Sequence, residues 1–130
     1  MNRRSTPEAD AQRAIVQALR VALPRDAVVH HCANEVTEAG YRGQIRQSIL
    51  VGMGVHSGFA DLIVIFGGRV LFLEVKSQTG RLRKSQEGFR DTVSAQGFGW
   101  ALVRSVDDAL GALADHGFTS RVRPVRRAAP

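Results

Sequence analysis

The pair Gly67-Gly68 constrains the fold of this chain more than any other feature, because an apolar run rich in strand-forming residues lies on each side of it. Both runs lie within the stretch of residues 58–76. Two consecutive glycines readily adopt the positive φ angles that a two-residue hairpin turn requires. The sequence therefore predicts an antiparallel β-hairpin centred on this pair.

A two-residue turn also fixes which residues face each other across the hairpin. Phe66 is expected opposite Arg69, and counting outward from this pair places Asp61 directly opposite Glu74. Lys76 follows two residues after Glu74, so its side chain points to the same face of the strand. Two carboxylates and one ammonium group are therefore predicted to meet at one end of an otherwise apolar hairpin.

This polar cluster predicts a metal site. Two neighbouring carboxylates repel each other unless a proton or a cation compensates their charge. Mg²⁺ prefers oxygen ligands, typically binds one or two protein carboxylates, and keeps positions for water and phosphate oxygens. Such an ion with a lysine beside it is suited to phosphodiester hydrolysis. The alternative is a surface ion pair between Glu74 and Lys76, but the register of Asp61 favours a functional site.

Composition narrows the class of protein and its partners. The chain has 130 residues, of which 44% are hydrophobic and 23% charged, which predicts one globular domain over residues 1–120, followed by a flexible basic tail over 121–130. We find no run that approaches a membrane span and no secretion signal at the start. A single cysteine, Cys32, excludes an internal disulfide and fits the reducing cytoplasm. A net charge of +6 favours a polyanionic partner.

Apolar spacing predicts helices and strands in a fixed order. The elements are a helix over 6–23, a strand over 27–32, the hairpin, a helix over 82–96, a strand over 97–103 and a helix that Ser105 caps and Gly117 ends. Only residues 44–51 suggest a further short helix. The hairpin strands are apolar on both faces, which predicts a central position in a mixed sheet with helices on both sides. The fold class is therefore α/β.

Three segments of the chain together resemble the PD-(D/E)xK nuclease superfamily, and within it the small stand-alone phage and bacterial form of the VRR-NUC family (virus-type replication-repair nucleases). The segments are residues 52–62, residues 73–76 and the helix that carries Gln86, and they span about half the chain. The superfamily has a restriction-endonuclease-like αβββαβ core, which the predicted element order fits. The family usually has proline before the aspartate, and Ala60 stands there in this chain, a change that affects backbone shape rather than chemistry.

The resemblance implies a role for each residue of the predicted cluster. Asp61 and Glu74 would bind the metal, and the backbone carbonyl of Val75 would be a further ligand. Lys76 would position the attacking water. The expected ion is Mg²⁺, with Mn²⁺ as an alternative.

The resemblance implies a role in the site for three further residues. Gln86 would reach the active site or the DNA backbone, which would explain a polar residue on the apolar stripe of its helix. The first helix of the superfamily often adds an acid, and Glu8 matches that position, although an acid there also stabilises a helix N-terminus. Glu35 is a second candidate, with an ordinary loop acid as the alternative.

The resemblance and the basic charge together imply a Mg²⁺-dependent DNA endonuclease. Stand-alone members resemble junction-resolving enzymes, so we expect a homodimer that selects branched DNA such as Holliday junctions during replication, recombination or repair. A solvated basic face or a DNA channel would account equally for five basic residues: Arg42, Arg46, Arg81, Arg83 and Lys84. Two other functions stay open, namely a non-catalytic nucleic-acid-binding protein with a nuclease fold, and a nuclease that acts on RNA or single strands.

Overall fold

The computed structural model of the chain describes residues 6–33 and 39–122. Four helices and four strands follow one another in these residues: α1 (Pro7–Ala22), β1 (Val28–His31), α2 (Gly40–Gly52), β2 (Leu62–Phe66), β3 (Arg69–Val75), α3 (Lys84–Ala95), β4 (Gly99–Val103) and α4 (Val106–Asp115). Two sequence predictions fall partly or wholly outside the described residues. They are the metal-binding role of Glu35 and most of the basic tail, of which Arg121 and Val122 are described.

The four strands form one mixed sheet in the order β1-β2-β3-β4. β2 is antiparallel to both β1 and β3, whereas β3 and β4 are parallel. Within the hairpin Phe66 pairs with Arg69 and Leu62 pairs with Leu73, as the two-residue turn predicts. The hairpin strands are therefore the central strands, and the predicted α/β fold with a mixed sheet is confirmed.

Helices cover the two faces of the sheet unequally. Ile15 and Leu19 of α1 and Leu113 of α4 pack on one face, against buried side chains of β2 and β3. On the other face, Phe89 and Val93 of α3 form a smaller cluster with partly buried aromatic residues: Phe59, Phe72 and Trp100. This second face is the one toward which Asp61 and Glu74 are expected to point, because Glu74 alternates with Leu73 and lies two residues from Phe72.

Side-chain caps begin α1 and α4, and the cap at Ser105 is the one that the sequence predicts. The Thr6 hydroxyl accepts the Ala9 N–H at 3.1 Å, and the Ser105 hydroxyl accepts the Asp108 N–H at 3.1 Å. The Asp108 carboxylate in turn accepts the N–H of Arg104 at 2.9 Å, whereas in a capping box it would accept the N–H of Ser105. The side chain of Asp108 therefore ties the end of β4 to α4.

Helix α2 is longer than the helix that the sequence predicts over 44–51. It begins at Gly40, and Gly43 is buried within it. Glycine disfavours helix, which is why the sequence predicts a later start, but a glycine inside a helix costs only about 1 kcal/mol, which packing can override. Among the helices of residues 6–33 and 39–122, none has both the length and the apolar character needed to cross a bilayer.

Candidate active site

The polar cluster lies at the end of the sheet where β1, β3 and β4 end and β2 begins. Asp61 immediately precedes β2, and its carbonyl accepts the N–H of Cys32 at 2.8 Å, which continues the pairing of β1 with β2. Lys76 immediately follows β3, and its N–H donates to the carbonyl of Val103 in β4 at 3.1 Å. The backbone on both sides of the cluster is therefore held by sheet hydrogen bonds rather than by a loop.

All three ionisable side chains of the cluster are buried. Asp61 is 4% exposed, Glu74 1% and Lys76 5%. The Lys76 ammonium lies 3.8 Å from Glu74 Oε1, and Asp61 Oδ2 accepts the N–H of Val75 at 2.8 Å. The interpretation of Glu74 and Lys76 as a surface ion pair is therefore wrong. Buried charges are normally retained only where they are paired or coordinate a cation, which makes this end of the sheet the candidate site.

Gln86 of α3 enters the cluster through both ends of its amide. Its Nε2 donates to Glu74 Oε1 at 2.8 Å, and its Oε1 accepts the backbone N–H of Arg83 at 2.9 Å. The second bond fixes which end of the amide faces the carboxylate. A polar residue on the apolar stripe of this helix thus has a specific partner in the strand beneath it.

A close backbone contact joins the loop before Asp61 to the start of α3. Gly58 has φ +77°, and a Cβ atom there would lie 2.0 Å from the carbonyl oxygen of Ser85. Only glycine fits such an approach, because any side chain would overlap the helix backbone. This contact holds the segment that ends in Asp61 against the helix turn that carries Gln86.

Of the two predicted extra acids, the structure describes Glu8 only, and Glu35 lies outside the described residues. Glu8 lies in the first turn of α1, where an acid is favourable beside the helix N-terminus. Within residues 6–33 and 39–122, no group of three His, Cys, Asp or Glu side chains is arranged to hold a metal ion. Asp61 and Glu74 are the two predicted metal-binding acids that the structure places among the buried residues of the cluster.

The candidate DNA-binding residues are exposed in two segments. Arg42 and Arg46 lie on α2, and the other three lie at or just before the start of α3: Arg81, Arg83 and Lys84. The second segment is continuous with the turn that carries Gln86. Its positive charges therefore stand beside the candidate site in sequence and in the fold.

A separate concavity of about 500 Å³ has a basic rim formed by Arg20, Arg25 and Arg121. Val28 contributes to its wall and pairs with Ile65 near the hairpin turn. The concavity is therefore near the opposite end of the sheet from Asp61, and none of the predicted site residues lines it.

The pKa of the Cys32 thiol is affected by the charge of the cluster. Burial raises the pKa of its thiol, and the negative charge of Asp61 raises it further. The thiol is therefore protonated at neutral pH, and a nucleophilic role for Cys32 is not favoured.

Arg104 is a residue near the cluster that sequence reasoning did not predict. It follows β4, and Val103 pairs with Val75 in the parallel ladder. Its guanidinium donates to the carbonyls of Ser77 and Gly80 in the turn after Lys76. The register between β3 and β4 is the signal that would have placed Arg104 beside Lys76, but no short turn connects these strands to fix that register.

Comparison with known proteins supports the fold. No protein-family description matches the chain, and no curated protein sequence matches it. The chain is similar to a solved structure described as a "VRR_NUC domain protein", with a TM-score of 0.64 and 15% sequence identity over 88% of this chain and 90% of that chain. At this identity the similarity shows a shared fold, which is the nuclease-type fold that the sequence predicts.

Proposed function

We propose that this protein is a Mg²⁺-dependent DNA endonuclease that hydrolyses phosphodiester bonds in branched DNA, including Holliday junctions. The observation that carries the proposal is the burial of Asp61, Glu74 and Lys76 together at one end of the central strands. The fold shared with a VRR_NUC domain protein supports the same reaction class. The basic charge of the chain supports a nucleic-acid substrate and a role in replication, recombination or repair.

The donor set of the cluster fits a hard divalent cation. Asp61 and Glu74 supply carboxylate oxygens, and the Val75 carbonyl is the proposed third protein ligand. Two buried carboxylates with one lysine leave a net negative charge, which a cation would compensate. When bound, Mg²⁺ or Mn²⁺ would supply Lewis acidity toward the scissile phosphate and the attacking water.

The remaining residues of the cluster have distinct proposed roles. Lys76 orients the attacking water and offsets the negative charge that develops on the phosphate. Gln86 holds the Glu74 carboxylate in one orientation through its 2.8 Å hydrogen bond. Because Arg83 fixes the amide from the other side, this orientation does not depend on substrate. Arg81, Arg83 and Lys84 would contact DNA phosphates beside the site, and Arg42 and Arg46 would do so from α2.

The proposal includes a homodimer, because symmetric branched DNA presents two equivalent strands to a two-fold assembly. Helix α2 offers a self-complementary surface for it. Three apolar residues of α2 and the residue directly after it are spaced four apart, form one stripe and are 42–79% exposed: Tyr41, Ile45, Ile49 and Met53. In an antiparallel pair of such helices, Ile45 would meet Ile49 of the second copy at the centre.

The experiment that tests the proposal is cleavage of labelled four-way-junction DNA and of a matched duplex, with Mg²⁺ or EDTA at equal ionic strength. We expect Mg²⁺-dependent, symmetric nicks confined to the junction. Equal cutting of both substrates would support the nuclease activity and contradict the selectivity for branched DNA. Binding without cutting of any DNA or RNA substrate would instead identify a non-catalytic nucleic-acid-binding protein.

A further inference from the structure

The turn that follows Lys76 folds back over the stem of that lysine. Residues 77–80 form a tight turn, in which the Gly80 N–H donates to the Ser77 carbonyl at 3.2 Å and to the Ser77 hydroxyl at 3.1 Å. A Cβ atom at Gly80 would lie 3.5 Å from both Cβ and Cδ of Lys76. The backbone of the turn therefore covers the aliphatic part of the side chain, which is 7% exposed.

Arg104 holds this turn from the neighbouring strand end. One guanidinium nitrogen donates to the Ser77 carbonyl at 2.5 Å and to the Gly80 carbonyl at 2.7 Å, so it bridges the two ends of the turn. The Arg104 backbone is fixed in turn, because its N–H donates to Asp108 of α4 at 2.9 Å. The Arg104 guanidinium thus joins the turn to the end of β4, where the side chain of Gln78 also donates to the Arg104 carbonyl at 3.5 Å.

We propose that Arg104 is a positioning residue that keeps the Lys76 ammonium beside Glu74 by clamping the turn at 77–80 against the lysine stem. Lysine has four rotatable side-chain bonds, so a lysine without this cover would sample many rotamers and move its ammonium away from Glu74. A misplacement of about 1 Å at a reacting group can reduce a rate by roughly 10²-fold. The catalytic consequence rests on the proposed role of Lys76, whereas the clamp itself does not.

Chemical labelling tests the clamp without any cleavage assay. The chain contains two lysines, Lys76 and exposed Lys84, so acetylation followed by peptide mass spectrometry compares the buried amine with an internal reference. The variant Arg104→Met retains an apolar stem and removes every donor to the turn. We expect its Lys76 to be acetylated at least about tenfold faster than in the native protein, with no change at Lys84.

Two further variants distinguish a positioning role of Arg104 from an effect of losing a positive charge or of losing the fold. Arg104→Lys should restore slow labelling of Lys76, because one ammonium group can donate to both carbonyls as the single guanidinium nitrogen does. Arg90→Ala removes a half-buried arginine that pairs with Asp91 rather than with the turn, and should leave Lys76 protected. If Arg104→Met does not fold, the same measurement is made on Arg104→Gln, whose shorter side chain cannot bridge both carbonyls, and labelling of Lys76 at the native rate in that folded variant would overturn the clamp.

Single-turnover cleavage at saturating DNA then tests the catalytic consequence. We expect Arg104→Met to cut about 10- to 100-fold more slowly, with KM within about twofold of the native value and with Arg104→Lys largely restored. If folded Arg104→Met is acetylated at Lys76 and cleaves DNA at the native rates, the proposed clamp is wrong, although the proposed nuclease activity is retained. Faster labelling in a protein that cuts no nucleic acid would support the clamp and refute the proposed function.

Discussion

At the residue scale, the contacts of the cluster converge on the strand segment that contains Glu74. Glu74 accepts a hydrogen bond from Gln86 and lies 3.8 Å from the Lys76 ammonium, while the N–H of its neighbour Val75 donates to Asp61. A buried carboxylate keeps a single orientation only when donors from its surroundings fix it. The proposed chemistry therefore depends on Gln86 as well as on the residues that would touch the metal.

Replacing Gln86 with Ala should reduce cleavage by about 10- to 100-fold, the range typical of residues that orient a metal ligand. The expected cause is loss of the N–H donor to Glu74. The Mg²⁺ concentration that gives half-maximal cleavage should therefore rise, and the maximal cleavage rate should fall. The measurement is the cleavage rate over a Mg²⁺ titration.

Gln96→Ala is the matched control for this prediction. Gln96 follows the same helix, and its amide donates to the Thr92 carbonyl at 3.3 Å, away from the cluster. It should cut like the native protein. A native Mg²⁺ dependence in Gln86→Ala would show that Gln86 does not orient Glu74.

At the element scale, the first turn of α3 assembles the site. It carries Gln86 and receives the close backbone contact from Gly58, which precedes Asp61 by three residues. The loop before β2 and the helix after β3 therefore meet above the strand ends. Their contact positions two sides of the cluster at once.

Substituting Gly58 by Ala should destabilise the protein far more than substituting Gly68. Both glycines have nearly the same φ, +77° and +75°, but only a Cβ at Gly58 would overlap another residue, at 2.0 Å from the Ser85 oxygen. We expect Gly68→Ala to cost about 1–2 kcal/mol of unfolding free energy for the left-handed backbone. Gly58→Ala should cost at least about 2 kcal/mol more, because the loop or α3 must shift.

Urea unfolding of the two variants measures this difference directly. Equal midpoints for Gly58→Ala and Gly68→Ala would show that the loop does not press against α3 in solution.

The hairpin shows how far the sequence predicts this site. A two-residue turn leaves one register, so the expected pairing of Asp61 with Glu74 follows by counting, and the structure continues that register as far as Leu62 and Leu73. The contact of Gln86 with Glu74 follows from no local pattern, because it depends on how α3 docks on the sheet. The role of Arg104 could not be predicted for the same reason, because the crossover through α3 separates Arg104 from the turn that it holds.

At the scale of the whole molecule, exposed apolar and basic surfaces determine the proposed assembly. The apolar stripe of α2, defined by Tyr41, Ile45, Ile49 and Met53, lies on a helix that also carries Arg42 and Arg46. A second copy that covers the stripe would leave basic residues at the rim, where polar groups are normally found. Two active sites would then face one branched substrate.

An aspartate at position 49 should convert the proposed dimer to a monomer, because Ile49→Asp would place a charge in the centre of the apolar contact. Sedimentation equilibrium of the native and variant proteins measures the change. Val21→Asp is the matched control, since Val21 is 66% exposed on α1 and lies outside the stripe. A monomeric native protein, or dissociation in the control alone, would contradict the α2 interface.

The most direct test of the central claim is single-turnover cleavage of junction DNA by the native protein and by Asp61→Asn, with Mg²⁺ or EDTA and with DNA binding measured in parallel. Asn keeps the size and an acceptor oxygen of Asp61 but removes one buried negative charge from the proposed ligand set. The account predicts Mg²⁺-dependent cutting by the native protein, at least about 10³-fold slower cutting by Asp61→Asn, and binding at least as tight. Cutting by folded Asp61→Asn at the native rate, or native cutting in EDTA, would contradict it.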